Sequence, residues 1–457
     1  MSFVFALPEH AVAKLRDALA LGVESAWTAT ARVALGGTAV LARELRAVPD
    51  DGYDERGPRR LRIRSSGFMP AFTESAGDEQ AVPVFVHTHP GVAPTPSALD
   101  ETVDRELRAL ARSRTGRDGY ASLIVGGTPA APRITGRLWR ADAEAPELLD
   151  RLRAAGPHLR VLLSDNRSAA ESPAPMFDRH LRAFGPDGQR LLQALTIGVV
   201  GVGGTGSPTV EQLARLGVGR ILVVDDDTID ETNLTRIHQA VETDIARLKV
   251  DVARNSAHAY GTGTVVSAIA EKAVTHAVIR QLAACDLIFG CTDDHAGRMV
   301  LSKIAYHYLV PVIDCGVRVE VEDRRIRGVF GRVTVVAPGT PCLHCRGQVN
   351  IALAAAEQMD PDERRHRAAE GYVPGIGDQA PAVVAFTTTT AGFAVSEMLA
   401  RIFGFGSEPP AGQLLIGLHD RKIHAAGPPA QPGHYCVDAS QWAQGDTNPP
   451  LGLTGIR

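Results

Sequence analysis

The rhythm of apolar and polar positions changes near residue 170. Before that point Ala31–Val48 and Leu61–Arg64 alternate apolar with polar residues, the period-two pattern of half-buried strands. Ala121–Val125 and Arg133–Leu138 read as a further strand pair joined by GGTPAAP. Pro8–Ala20 and Ser97–Ala111 are predicted helices, and the charged run Asp51–Arg60 is predicted to be a loop. Beyond residue 170, short apolar runs at Thr196–Val200, Arg220–Val224, Asp286–Gly290 and Pro311–Asp314 alternate with helix-like segments such as Ser207–Leu216. Such alternation predicts a parallel, doubly wound sheet. The seam is Asn166–Pro175, NRSAAESPAP, which is small, polar and proline-bearing. The expected fold class is therefore α/β: an α+β domain over residues 1–150, a linker over 151–175, and a doubly wound Rossmann-like domain over 176–457. A proline-containing loop is expected at Pro428–Gly433.

Composition narrows the class. A chain of 457 residues exceeds one ordinary core, and 44% apolar with 22% charged residues describes a globular protein. The net charge of -4 is spread without long single-sign blocks, so no nucleic-acid surface is expected. Six cysteines in so long a chain do not make a disulfide framework, which points to the reducing cytoplasm. The N-terminal MSFVFALPEH lacks a basic signal-peptide start, and no run reaches the length of a membrane span, so no membrane role is expected.

Two stretches carry chemistry. In VFVHTHPGVAPTPSALD, Val84–Asp100, alternate positions in a strand point His87 and His89 to one face. A turn through Pro90–Pro96 into a helix at Ser97 returns Asp100 to the same face. Two histidines, a carboxylate and an open position are the ligand set of a catalytic zinc site. The pattern resembles the JAB/MPN+ (JAMM) metalloprotease family, isopeptidases that cleave at the C-terminal tail of ubiquitin-like proteins, over about residues 1–140. The resemblance implies that His87, His89 and Asp100 hold zinc and that Ser97 supports the oxyanion. It also implies an upstream glutamate as general base, Glu24, with Glu44 as the alternative.

The second stretch, Gly198–Gly206, reads GVVGVGGTG between a strand and a helix, where glycines admit a phosphate to the helix N-terminus. Asp225 ends the next strand, where a ribose-binding acid belongs, so a nicotinamide or flavin oxidoreductase fits this much. DDDTIDETNLTR (Asp225–Arg236), Lys249 and GCTDD (Gly290–Asp294) then add cations and acids suited to a triphosphate. Their order resembles the ThiF/MoeB/HesA family, which shares its adenylation domain with ubiquitin-activating enzymes, over about Met176–Gly406. The resemblance implies that Gly201, Gly203, Gly204 and Gly206 shape the ATP loop and that Asp225 and Asp227 lie on the ribose side. It assigns Asn233, Arg236 and Lys249 to phosphates, Asp293 to magnesium, and Arg179 to ATP across a homodimer interface, with Asp293 and Arg236 acting in the catalytic step.

TPCLHCRG holds Cys342 and Cys345 in one CxxC, and its counterpart CxxC is missing. Cys436, with His434 two residues before it, completes a candidate structural Cys3His zinc site. Family members often pass the activated acyl group to a cysteine in the crossover loop, yet Gln348–Val383 contains none. The remaining thiols are Cys285, Cys291 and Cys315. Gly371–Gly404 resembles the family's return into a buried helix.

Both halves would then meet the same glycine-ended tail. The expected protein is bifunctional: zinc-dependent cleavage at the tail of a ubiquitin-like or sulfur-carrier protein, and ATP-dependent adenylation of its terminal glycine. A conjugating enzyme or a sulfur donor would take the product. An adenylating enzyme whose first half only binds the tail is the alternative, and the oxidoreductase is a third.

Overall fold

The computed structural model describes residues 2–140, 143–167, 172–369, 381–406, 409–425 and 427–453. They form two units, Met1–Glu171 with Ser440–Asp446, and Ser172–Ala439 with Thr447–Arg457. Residues 168–171 of the predicted seam, and 371–380 of the segment that returns toward the buried helix, lie outside the described residues.

The first unit is built on a nine-stranded sheet. Its strands are β1 (Ser2–Pro8), β2 (Ala26–Ala34), β3 (Ala39–Ala42), β4 (Arg46–Ala47), β7 (Ala81–Pro90), β8 (Gly119–Gly127), β9 (Pro132–Arg140), β10 (Glu147–Ala155) and β11 (Leu159–Leu163), while β5 (Tyr53–Arg56) and β6 (Leu61–Ile63) make a separate hairpin. β1 pairs in parallel with β3 and also with β10, so the sheet closes on itself. The predicted alternation over Ala31–Val48 resolves into the end of β2 followed by β3 and β4. Helix α1 (Glu9–Ala18) packs Ala11, Val12 and Leu15 against one face, with Phe5, Val84, Val86 and Leu123. Helices α2 (Ser65–Ala76) and α3 (Ala98–Thr115) cover the other, where Phe72, Leu107 and Ala111 meet Phe85, Tyr120 and Trp139. β7 sits between these layers, and its apolar run AVPVFV is buried from end to end.

Three expectations need correction here. Residues 151–163, assigned to a linker, form most of β10 and all of β11 and belong to the first sheet. Their small and apolar residues, Leu152, Ala154 and Leu159 among them, are buried in it. The charged run Asp51–Arg60 contains β5, paired with β6, because its charges face outward while Tyr53 packs inward. The second unit does not run unbroken to the C-terminus, since Ser440–Asp446 belongs to the first. There Arg32 donates to the Gln444 carbonyl at 2.9 Å, and the Leu35 amide donates to Asp446 Oδ2 at 2.9 Å.

The second unit carries an eight-stranded sheet in the order β14-β13-β12-β15-β16-β17-β18-β19. β12 (Thr196–Val200), β13 (Arg220–Val224), β14 (Val265–Ile269), β15 (Leu287–Gly290) and β16 (Val312–Glu322) are mutually parallel, and β17 (Arg325–Val336), β18 (Gln413–Gly417) and β19 (Lys422–Ala425) extend them antiparallel. The antiparallel wing went unpredicted. The connecting helices are α4 (Asp178–Ala194), α5 (Gly206–Arg215), α6 (Lys249–Ala259), α7 (His276–Ala283) and α8 (His295–His307), then α9 (Ile351–Glu357), α10 (Pro361–Ala369) and α11 (Val384–Phe403). Strand order reverses about β12, which opens a crevice at the carboxyl ends of β12 and β15. No helix among the described residues is long and apolar enough to cross a membrane.

Candidate functional site

In the first unit the period of β7 brings His87 and His89 to one face, and the first turn of α3 supplies Asp100. His87 Nε2 lies 3.1 Å from His89 Nε2 and 3.1 Å from Asp100 Oδ1, and His89 Nε2 lies 3.7 Å from Asp100 Oδ2. Ligand atoms about 2.1 Å from a tetrahedral ion would be roughly 3.4 Å apart, so the trio fits zinc. Two imidazole nitrogens that close also need a shared proton or cation between them. Burial opposes ionisation of Asp100, but His87 beside it, with the Ser97 amide and hydroxyl, holds its carboxyl well below the usual range. Burial pushes His89 down, toward the neutral form a metal needs.

Ser97 caps α3: its amide and its hydroxyl each donate to Asp100 Oδ2 at 2.7 Å, and its oxygen accepts from the Asp100 amide at 3.2 Å. In this geometry Ser97 aims Asp100. Glu24 lies just before β2, whose Ala26 pairs with His87. It is buried, and burial raises its carboxyl pKa, with Asp100 adding to the rise and His87 opposing it, so Glu24 shares the field of the site. The unpredicted β5 hairpin backs it. The Glu24 amide donates to the Gly57 carbonyl at 2.9 Å, and Arg56 reaches the Glu24 carbonyl at 3.1 Å and Ser25 Oγ at 2.5 Å. Glu44 is instead exposed and paired with Arg46 at 2.7 Å. One turn beyond Asp100, buried Asp104 accepts from Ser122 at 3.0 Å and from Tyr120 at 3.1 Å and fixes α3 on β8; the sequence carried no signal for it.

In the second unit the glycine loop follows β12. The Gly201 amide donates to the Val224 carbonyl at 2.8 Å, and Gly201 adopts φ +85°, in the left-handed region that suits glycine. A Cβ on Gly206 would stand 1.8 Å from the Gly201 carbonyl oxygen, whereas one on Gly203 would meet nothing within 4 Å. Gly206 thus closes the loop on itself, and Gly203 faces open space. Asp225 accepts from the Val202 amide at 2.6 Å and from the Asp227 amide at 3.0 Å, tying the loop to β13. Burial raises its carboxyl, and Lys249 opposes that rise. Lys249 Nζ bonds Asp227 at 2.6 Å, and Arg236 lies against Gly204 while donating to the Thr232 carbonyl at 2.9 Å. Asn233 is buried with its side-chain oxygen unpartnered.

Asp293 stands exposed just after Cys291 and Thr292, whose backbone packs on Gly201, while Asp294 caps α8. Arg179 is exposed on the first turn of α4. Beside these, Asp314 is wholly buried, with Arg332 at 2.6 Å and Arg298 at 3.5 Å. That cluster was invisible in the sequence because its members come from β16, β17 and α8.

Cys342, Cys345, His434 and Cys436 converge. His434 Nδ1 lies 3.3 Å from Cys342 Sγ and 3.4 Å from both Cys345 Sγ and Cys436 Sγ, and the last two sulfurs are 3.7 Å apart. A tetrahedral zinc has edges of about 3.8 Å between sulfurs and roughly 3.6 Å from sulfur to nitrogen, so these four residues fit the ion. A hydrogen bond from Cys436 pulls the Cys342 thiol down, toward the thiolate that binds metal.

The model of the ThiF family matches residues 177–421, over half of the chain. Among curated proteins, similarity extends to the SAMP-activating enzyme E1 of Haloferax volcanii, 27% identical over 177 residues, which cover 38% of this chain and 62% of that one. It extends also to the adenylyltransferase and sulfurtransferase UBA4 of Meyerozyma guilliermondii, 33% over 132 residues (29% of this chain, 31% of that one), and to the Escherichia coli molybdopterin-synthase adenylyltransferase, 31% over 170 residues (36% and 64%). The chain thus spans less than two thirds of the length of these relatives. The solved structure of E. coli MccB with ATP aligns at a TM-score of 0.45 and 17% identity, covering 58% of this chain and 74% of that one.

Proposed function

Because this chain belongs to the ThiF family, we propose that its second unit uses ATP and magnesium to adenylate the C-terminal glycine of a ubiquitin-like or sulfur-carrier protein. The observation that carries the reading is an open glycine loop beside β12 against which Arg236 packs and to which Asp225 is bonded, with Lys249 held on the neighbouring Asp227. In the reaction the terminal carboxylate attacks the α-phosphorus and pyrophosphate leaves. Gly203 admits the phosphates to the α5 amides. Arg236 and Lys249 offset the charge that grows on the departing phosphates. Asp293, exposed at the crevice, would hold the magnesium, and Arg179 would reach ATP from a partner subunit of a homodimer. A dinucleotide oxidoreductase, in which no pyrophosphate leaves, does not need these cations. The names of the relatives, a SAMP-activating E1, a UBA4 and a molybdopterin-synthase adenylyltransferase, support the substrate class. Six free cysteines suit a reducing, cytoplasmic setting.

For the first unit the His87, His89 and Asp100 cluster, with Glu24 in its field, supports a zinc-dependent cleavage of the same tail. Zinc bound there would lower the pKa of a coordinated water to about 7. Glu24, raised by burial, would take a proton, and Ser97 would hold Asp100 in place. The structural zinc would sit at Cys342, Cys345, His434 and Cys436.

The test is ATP:pyrophosphate exchange dependent on a glycine-ended ubiquitin-like protein. Exchange should vanish in Asp293→Ala and survive in His87→Ala, with tail cleavage showing the opposite pattern. Exchange that is absent with every such partner would overturn the adenylation reading. Tail binding without cleavage would reduce the first unit to a binding module.

A further inference from the structure

Four threonines stand in a row on the first turns of α11, and three of them behave as helical threonines usually do. Thr387 donates to the Val383 and Val384 carbonyls, Thr389 to Ala385 and Thr390 to Phe386. Thr388 does not. Its hydroxyl lies 2.8 Å from His238 Nε2, while His238 Nδ1 lies 3.0 Å from Glu211 Oε2. With a carboxylate on Nδ1, the imidazole carries its proton there and presents a lone pair on Nε2 to the threonine hydroxyl. Hydroxyl, imidazole and carboxylate in that order are the arrangement of an activated nucleophile, its base and the group that orients the base.

The local backbone is built to hold it. Gln239, immediately after His238, adopts φ +66°, a costly conformation for a residue with a side chain. The turn it makes sends the Gln239 amide group to the same Glu211 oxygen at 3.4 Å. Burial raises the Glu211 carboxyl, but bonds from His238, Arg215 and Gln239 outweigh it and keep the group ionised. The His238 amide donates to Ser207 Oγ at 2.9 Å, and Ser207 in turn donates to the Gly203 carbonyl at 2.8 Å. Thr387, the neighbour of Thr388, lies on Gly204: a Cβ there would meet its methyl at 3.2 Å. The relay is thus anchored to the nucleotide loop by both of its elements. Thr388 and His238 are each partly exposed. The thiols nearest the loop are poorly placed by comparison, since Cys291 and Cys315 lie 3.5 Å from each other and that contact, with burial, pushes Cys315 up.

We propose that Thr388 is an acyl acceptor, taking the carrier's glycine from its adenylate as an ester, with His238 as general base and Glu211 as the residue that positions it. This rests on the adenylation reading. Threonine Oγ bonds to the glycine carbonyl carbon, the bond from that carbon to the AMP oxygen breaks, AMP leaves with the electron pair, and the hydroxyl proton goes to His238 Nε2. An amine of a later acceptor can then displace the ester, its nitrogen bonding to the carbonyl carbon as the threonine oxygen leaves and regains a proton.

Two measurements separate the proposals. A fluorophosphonate probe, which labels activated hydroxyls without ATP or carrier, should modify the Thr388 peptide of the full chain. The labelling rate should fall about 10²- to 10⁴-fold in His238→Ala, the usual reach of general-base catalysis, and Thr388→Ser should label at least as fast as the natural chain. Thr388→Val should abolish labelling while melting at the same temperature. The second measurement uses ATP with any glycine-ended carrier that supports pyrophosphate exchange, followed by intact-mass and peptide analysis. A carrier adduct on Thr388 that survives thiol reagents and is cleaved by hydroxylamine supports the inference. Exchange without such an adduct overturns it and leaves adenylation standing. If no carrier supports exchange, adenylation falls and the probe decides the relay alone: labelling of Thr388 upholds an activated hydroxyl, and an unlabelled Thr388 overturns it.

Discussion

Replacing Cys436 by serine should uncouple the C-terminal loop from the second sheet, and the size of the effect follows from chain length. Cys436 is 91 residues from Cys345, and their sulfurs approach to 3.7 Å. A link that closes a loop of that length removes roughly 4.5 kcal/mol of conformational entropy from the unfolded chain. For a unit of this size each kcal/mol is worth about 2–4 °C, so loss of the ion should lower its melting temperature by roughly 9–18 °C. The measurement is best made in a His87→Ala, His89→Ala background, so that metal content reports the cysteine site alone. Calorimetry follows both units. Tryptophan fluorescence follows only the first, because Trp27, Trp139 and Trp442 all belong to it. The background protein should carry one zinc per chain and the serine variant none, with the calorimetric transition falling and the tryptophan transition unmoved. Equal zinc in both proteins, or a shift below about 3 °C, would refute the four-ligand site.

Other expectations are simpler. Gly206→Ala must displace the Gly201 carbonyl and should cost about 1–3 kcal/mol in thermal unfolding. Gly203→Ala meets nothing within 4 Å, so it should melt normally yet raise KM for ATP about tenfold, the loss of one phosphate contact. Asp118 bonds Arg108 through both oxygens, at 2.9 and 2.5 Å, and this pairing lowers its carboxyl pKa. A depressed folded-state pKa adds stability above the ordinary carboxylate range and loses it as pH falls through the folded value. Asp118→Asn should therefore destabilise the first unit by about 1–2 kcal/mol at pH 7, and the gap to the natural chain should close toward pH 3 in tryptophan-monitored melting.

Where geometry follows from local spacing, the sequence was readable. Period-two alternation dictates that His87 and His89 share a face, and the serine-capped start of α3 dictates where Asp100 points. The glycine loop was likewise local, a strand, a turn and a helix in succession. What escaped depends on pairings between distant segments. Nothing in Glu147–Ala155 announces that β10 will lie beside β1 and close the sheet, and the expected linker began inside it at residue 151. The partnership of Asp314 with Arg298 and Arg332 joins three elements, and that of Thr388 with His238 spans 150 residues. No short motif encodes either. That Glu24 lies buried in the field of His87 and Asp100 while Glu44 is exposed beside Arg46 also needed the fold to be seen.

The return of Ser440–Asp446 to the first unit sets an order for biosynthesis. Trp442 and Ala443 are buried there, and Gly445 lies against Ala34 and Leu41. During translation the first sheet can assemble early, but its last piece emerges from the ribosome only after the whole adenylation-type sheet has been made. A gene cut at the seam would not yield two intact halves: the leading fragment would lack its closing segment, and the trailing fragment would leave Trp442 and Ala443 with nowhere to dock.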